Sequence, residues 1–238
     1  MTLGEAKVMV KALMARGDLE PLMLDFFLAQ GRRLIESETN FYWMKASKDF
    51  NLTVNQGEYV ITASPVSVSD FKDMRYLLWK DPSELRYNAL SPNELDILDT
   101  NYETTGTGAP EAFNLDNVTI RLFPIDPDQA YNMRLYYWAW TANPTNDTST
   151  DELLTRWPDV LIYASVSRGL MTMTQNVEAA KPWIAMMKES ATLLMQYNHA
   201  RGQALEAFTL TPSDVPTGRV IPTRGVAQPG AIPRWSNY

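Results

Sequence analysis

Cysteine is absent from this sequence, and histidine occurs once, at His199. Without thiols there is no disulfide, no thiolate nucleophile and no cysteine metal site, and the redox compartment stays open. One histidine cannot assemble a Ser-His-Asp relay or a His-rich metal set. Beside Asn198 and Arg201 on the rim of a polar helix face, His199 reads as a surface or interface side chain. No apolar run approaches the roughly 18 residues of a membrane span. The opening residues, MTLGEAKVMVKALMARGD, lack the uninterrupted apolar segment of a signal peptide, so secretion by that route is not expected. The glycosylation triplets that begin at Asn51, Asn117 and Asn146 therefore carry no weight. Gly106 and Gly108 make no phosphate loop, because no Lys-Ser/Thr follows them at the right spacing. Asp126 and Asp128 around Pro127 have the oxygens for a hard cation, but a solvated turn accounts for them. No catalytic residue, metal or cofactor is expected, and the chain reads as something other than an enzyme.

What is present describes a protein with a sizeable core. Hydrophobic residues make up 45% of the 238 and charged residues 21%. The net charge of −7 argues against nucleic acid as a partner of the whole surface, but the charge is unevenly spread. From Val215 onward there are three arginines and no acid, so the last 24 residues carry +3 and residues 1–214 carry −10.

The strongest pattern lies at 157–205, which reads as two helices joined by a short turn. Pro158 suits a first helical position. Val160, Leu161, Tyr163, Ala164, Gly169 and Leu170 keep small and apolar residues towards a neighbour. Ala180, Trp183, Ile184, Met187, Ala191, Leu194 and Met195 recur at three- and four-residue steps, with Pro182 marking where the long helix starts. Such a stripe needs a second helical pair, and the first 38 residues supply it. Residues 2–16 have Thr2 as cap and Gly17 as stop. Residues 20–38 put Leu24, Phe27, Leu28, Gly31, Leu34 and Ile35 on one face and Arg32, Arg33, Glu36 and Glu38 mostly on the other.

From about Asp49 the period changes to two. Phe50, Leu52 and Val54, then Tyr59 and Ile61 around Asn55-Gln56-Gly57, predict a hairpin. The stretch 70–79 fits a helical turn or a strand, and Ser91-Pro92-Asn93-Glu94 predicts a helix start with Ser91 capping. Residues 104–110 read as a loop. Strands are predicted at 112–115, 118–124 and 131–141, the last with bulky aromatics on both faces. Ser149 to Glu152 has capping-box spacing ahead of a short helix. Beyond Thr209 five prolines and unpatterned apolar residues predict an extended arm, ordered only if something outside holds it. The expected fold is α+β with segregated layers. Helices at 1–48 and 143–208 form a bundle, 49–142 is an inserted β-rich region of small sandwich or barrel type, and 209–238 is the arm.

A colinear series of motifs now accumulates. It runs from Leu24-Asp-Phe-Phe-Leu-Ala-Gln-Gly-Arg-Arg-Leu-Ile-Glu through Asp70-Phe71 and Met74-Arg75-Tyr76-Leu77 to Leu90-Ser-Pro-Asn-Glu-Leu. It continues with Arg121-Leu-Phe-Pro, Leu135-Tyr-Tyr and Trp157-Pro-Asp-Val-Leu-Ile-Tyr-Ala. In this order the series resembles the head-to-tail adaptor (connector) proteins of tailed bacteriophages, in particular the podovirus-type adaptors below the portal. It spans about 20–200. The chain departs from that pattern before Asp70, where Val66-Ser-Val-Ser stands in place of Leu-Pro.

The resemblance implies a structural virion protein at the head–tail junction, assembled in the host cytoplasm. It implies a homo-oligomeric ring, usually of twelve copies, that joins the portal to the tail nozzle and fibres. The ring would continue the DNA channel for genome retention and ejection, with no membrane partner. An acidic body suits a conduit through which DNA slides without sticking. The arm is expected to dock on a neighbouring subunit or the portal through Arg219, Arg224, Arg234 and Trp235. The reading from a different class is a small-ligand or carbohydrate-binding module that uses the aromatic strand 131–141.

Overall fold

The computed structural model describes residues 1–80, 87–92, 107–124, 127–175 and 177–209. Met1–Asn198 make one compact unit. The fold is mixed α and β, with helices at the two ends of the sequence and two four-stranded sheets between them.

Helix α1 (Leu3–Leu13) starts where the Thr2 side chain accepts from the Glu5 amide and the Glu5 carboxylate accepts from the Thr2 amide, a reciprocal capping box. It stops at a Met14 cap, with Ala15 in the left-handed region at φ 51°, so the helix ends before the predicted Gly17. Helix α2 (Pro21–Glu38) begins with Pro21 at its first position and buries Leu24, Phe27, Leu28 and Ile35. Arg32 and Glu36 are buried too, contrary to the polar face expected of them. Stepping by four from Leu24 through Leu28 leads to Arg32 and Glu36, so helical geometry puts them on the core side.

Helix α3 (Glu152–Arg156) is capped by Asp151, whose side chain accepts from the Leu154 amide at 2.9 Å. Ser149 is therefore not the cap, since the helix opens two residues later than predicted. Helix α4 (Pro158–Thr174) is buried nearly all round, as Val160, Leu161, Ile162, Ala164, Ser165, Val166 and Ser167 are each at most 2% exposed. That is the pattern of a central helix. Gln175, left-handed at φ 50°, turns the chain into helix α5 (Val177–Thr209). Pro182 lies inside α5, one turn beyond its start, so it does not open the helix; the ladder tolerates the loss of one N–H so near the end.

The first sheet is ordered β1-β8-β3-β4 and the second β2-β7-β6-β5. The first comprises β1 (Lys45–Asn51), β3 (Phe71–Lys80), β4 (Tyr87–Ala89) and β8 (Asn132–Ala139), the second β2 (Glu58–Val60), β5 (Ser91–Pro92), β6 (Ala112–Asp116) and β7 (Thr119–Phe123). One core takes Phe50, Leu77, Met133 and Leu135 from the first and Tyr59, Phe113, Ile120 and Leu122 from the second, so the two sheets face each other.

The predicted hairpin at 50–61 is not one. β1 pairs with β8 and β2 with β7, so the turn at Asn55 (φ 60°) passes the chain from one sheet to the other. Turn chemistry is the same for both outcomes. Ser91-Pro92 is also a correction: it is a short strand parallel to β6, not a cap and first helical residue. An X-Pro pair favours extended backbone as readily as a helix start. The stretch 70–79 is strand, and Val66 and Val68, at the departure from the resemblance, plug the shared core with Ser67 left-handed between them. No helix among the described residues is long and apolar enough to cross a membrane.

The crossing of α2 and α4 is the tightest contact in the helical layer. A Cβ on Gly31 would lie 2.5 Å from Ser165 Oγ and 2.8 Å from Ser165 N. Backbone cannot yield as a side chain can, so Gly31→Ala is expected to destabilise the fold by roughly 1–3 kcal/mol, the usual range for overpacking. Gly17→Ala, with nothing within 4 Å of the added methyl, serves as the control and should leave the urea midpoint unchanged.

Candidate interaction surface

Among the described residues no group of three or more His, Cys, Asp or Glu side chains could hold a metal ion. His199 is exposed on α5. Asp128 accepts from the Tyr131 hydroxyl at 2.7 Å, the geometry of a turn that holds itself, and Asp126 lies outside the described residues. Arg219, Arg224, Arg234 and Trp235 lie outside them as well, as do Gly106 and 93–96 of the predicted helix start.

The distinctive chemistry lies on the outer face of the β1-β8-β3-β4 sheet. Period-two geometry sends Met133, Leu135 and Tyr137 of β8 into the core and Arg134, Tyr136 and Trp138 outward. Register then decides their neighbours: Asp49 opposite Arg134, and Tyr76 opposite Tyr136. Arg134 makes a fork to Asp49 at 2.6 and 2.8 Å, which holds the Asp49 carboxyl below its usual range. Arg134 also lies 4.6 Å from the Tyr87 ring. β3 has two register shifts, between Phe71 and Asp73 and between Met74 and Tyr76, so Arg75 sits in the second. Arg75 sits over two rings, Tyr76 at 5.1 Å and Trp138 at 4.9 Å, and Lys45 lies 5.7 Å from Trp138. The aromatics predicted on both faces of 131–141 are there, and the outward ones share their ring faces with the chain's own cations.

Where helices meet sheet lies a second constellation that sequence reasoning placed on a solvated face. Arg32, only 3% exposed, pairs with Asp151, the residue that caps α3. Glu36, fully buried, accepts from the Thr141 amide at 3.3 Å. Burial pushes its carboxyl above the ordinary 4.5, and the Thr141 hydrogen bond and the Arg32 charge offset only part of that. Lys72 at the start of β3 donates to the carbonyls of Glu36 and, at 2.7 Å, Thr39, satisfying carbonyls that the end of α2 leaves unpaired. Burial lowers the Lys72 pKa, partly countered by Glu36 and Asp73. Arg33 at 4.2 Å and Lys72 at 5.0 Å flank Trp140. The available signal was the four-residue step from Leu28 to Arg32 to Glu36.

A third feature is a cleft of about 480 Å³ along α2, lined by Leu3, Leu22, Asp25, Phe26, Ala29 and Pro144 among others. Asp25 on this lining shares Lys7 with Asp147, at 2.8 and 2.7 Å, two carboxylates for one ammonium.

With this geometry in place, the family model described as SU10 adaptor protein matches residues 1–211, which takes in every described residue. No curated protein matches the chain.

The buried pair generates two expectations. Arg32→Leu strands the Asp151 charge and should lower stability by about 3–5 kcal/mol, whereas adding Asp151→Ser, which keeps a capping oxygen, should recover a large part of the loss in a denaturation double-mutant cycle. For Glu36 the folded state holds the proton more tightly than the unfolded chain. Its contribution to stability is therefore full below about 4.5 and is lost as pH rises through the raised value. Glu36→Gln should flatten that decline, so unfolding free energies measured from pH 4 to 8 should favour the variant increasingly towards neutral pH.

Proposed function

The chain belongs to the SU10 adaptor protein family, a family of phage head–tail adaptors, and from that premise we propose that it builds the ring joining portal to tail. The match over residues 1–211 carries this reading. In the proposed role the chain is a structural component of the virion, assembled in the host cytoplasm and without catalysis of its own. About twelve copies close around the axis and continue the DNA channel, and the ring retains the genome until ejection and offers a platform to nozzle and fibre proteins. A total charge of −7 supports passage of DNA without adhesion.

We further assign the division of labour along the chain. Helices of 1–48 and 143–208 act as one bundle, the β-rich part 49–142 projects from it, and 209–238 is an arm that grips a neighbouring subunit or the portal. Arg219, Arg224, Arg234 and Trp235 are its anchors, since Arg and Trp carry a large share of interface energy and this segment has no acid to oppose them. A small-ligand or carbohydrate module on 131–141 is the less supported reading, because a planar ligand there would compete with Arg75 and Lys45 for the Trp138 ring.

Electron microscopy of the protein with and without portal, checked by light-scattering mass, tests the role. Rings or added density beneath the portal are expected; a monodisperse monomer that ignores portal and every tail component would overturn it. Deleting 209–238 should leave the thermal midpoint of the body intact while weakening attachment to portal. Full-strength joining by the truncated chain would refute the arm's assignment.

A further inference from the structure

Two partly exposed patches of unlike chemistry lie on the same compact unit. The first is the outer face of the β1-β8-β3-β4 sheet. Its outward positions carry Lys45, Arg75, Lys80 and Arg134 against Asp49 and Asp73, a net +2 on a chain whose total is −7. Arg134 is committed to Asp49, but Arg75 has no ion pair among the described residues and sits over the Tyr76 and Trp138 rings. A guanidinium held over aromatic rings keeps N–H donors that can meet a carboxylate. Tyr76, edge-on to Tyr136, is still 53% exposed.

The second patch is the α2 cleft and its surroundings. Leu22 is 80% exposed, Phe26 50% and, on the adjoining α1, Val8 67%. They neighbour Asp25 and its shared lysine, so this patch is apolar with an excess of carboxylate. Each patch supplies what the other lacks. Rings and a cation stand out from the sheet; an apolar cleft with carboxylates lies along α2. Clustered exposed apolar side chains such as these suit a place of contact.

We propose that the Arg75–Tyr76–Trp138 face of one copy seats on the Leu22–Phe26 cleft of a second copy of this chain, head to tail. Tyr76 and Trp138 cover Leu22 and Phe26, and Arg75 meets Asp25. The contact is heterologous: each copy offers one face and receives the other, which is the kind of contact that propagates and, where the rotation permits, closes a ring. The inference deepens the ring reading above and rests on it for closure, but the contact itself stands on the two patches.

The full chain and two variants, Arg75→Glu on the sheet face and Leu22→Glu in the cleft, decide it. Mass photometry and light scattering over a concentration series are expected to show wild-type association beyond the dimer, weakened by added salt. Each variant should weaken association by about tenfold or more, the loss typical of a central interface residue. Lys181→Glu on α5 should change nothing. Mixing the two variants is the diagnostic step, because the sound cleft of one then meets the sound sheet face of the other. The mixture should form dimers that do not grow. Leu22 is exposed and Arg75 only half-buried, so thermal midpoints should stay near wild type; should either variant unfold, Tyr76→Ser and Phe26→Ser take their place. A wild-type chain monomeric throughout, variants that associate as wild type does, or a mixture that fails to dimerise would each overturn the contact. Density beneath the portal together with unaffected variants would retain the ring and reject this interface alone.

Discussion

The structure depends on a small set of charges held out of water where α2 meets α3 and the sandwich. Taking an ion from water into a protein interior costs several kcal/mol even after relaxation, so such groups survive only when paired and hydrogen-bonded. Arg32 meets Asp151, and Asp151 is at the same time the cap that starts α3. One turn further along α2, Glu36 takes the Thr141 amide, and its own carbonyl takes the Lys72 ammonium. Three stretches of chain far apart in sequence, around 32–39, 72 and 140–151, are thereby fixed to one place. The helical layer and the β1-β8-β3-β4 sheet are joined by polar contacts that tolerate little displacement, because any shift leaves a buried charge without its partner.

Around that junction the two layers solve the burial problem differently. The helices use small residues: Gly31 lets α4 approach until backbone nearly touches backbone, and Gly169 receives Met14 and Phe27. The sheets use period two, sending one side chain in two into a shared core and leaving the other outward. The outward row of β8 then carries Arg134, Tyr136 and Trp138. Trp138 and Tyr136 stand there because Tyr137 and Leu135 are needed inside. The bulged β3 beside them places Arg75 within reach of two rings.

Much of the local structure was legible. Thr2 with Glu5, Pro21, Pro158 and the stripe from Ala180 to Leu194 specify helices through rules that operate within a few residues, and they lie where those rules put them. The strands at 112–116, 119–123 and 132–139 follow from alternation in the same way. Errors cluster where one local signal serves two outcomes. A turn at Asn55 can close a hairpin or change sheets; Ser91-Pro92 can cap a helix or run extended; a polar Arg32 can be solvated or paired.

The sequence by itself determined the type of most described elements, the acidic character of the body and the colinear motifs that point to the adaptor family, because propensity, capping and periodicity act over short distances. Only the tertiary structure decided which strand lies beside which, that Arg32 and Glu36 are buried, and that Arg75 joins Tyr76 to Trp138. Periodicity states which side of an element must be covered but not by what. The covering groups here are separated by 119 residues for Arg32 and Asp151 and by 105 for Glu36 and Thr141, so only the folded chain could bring them together.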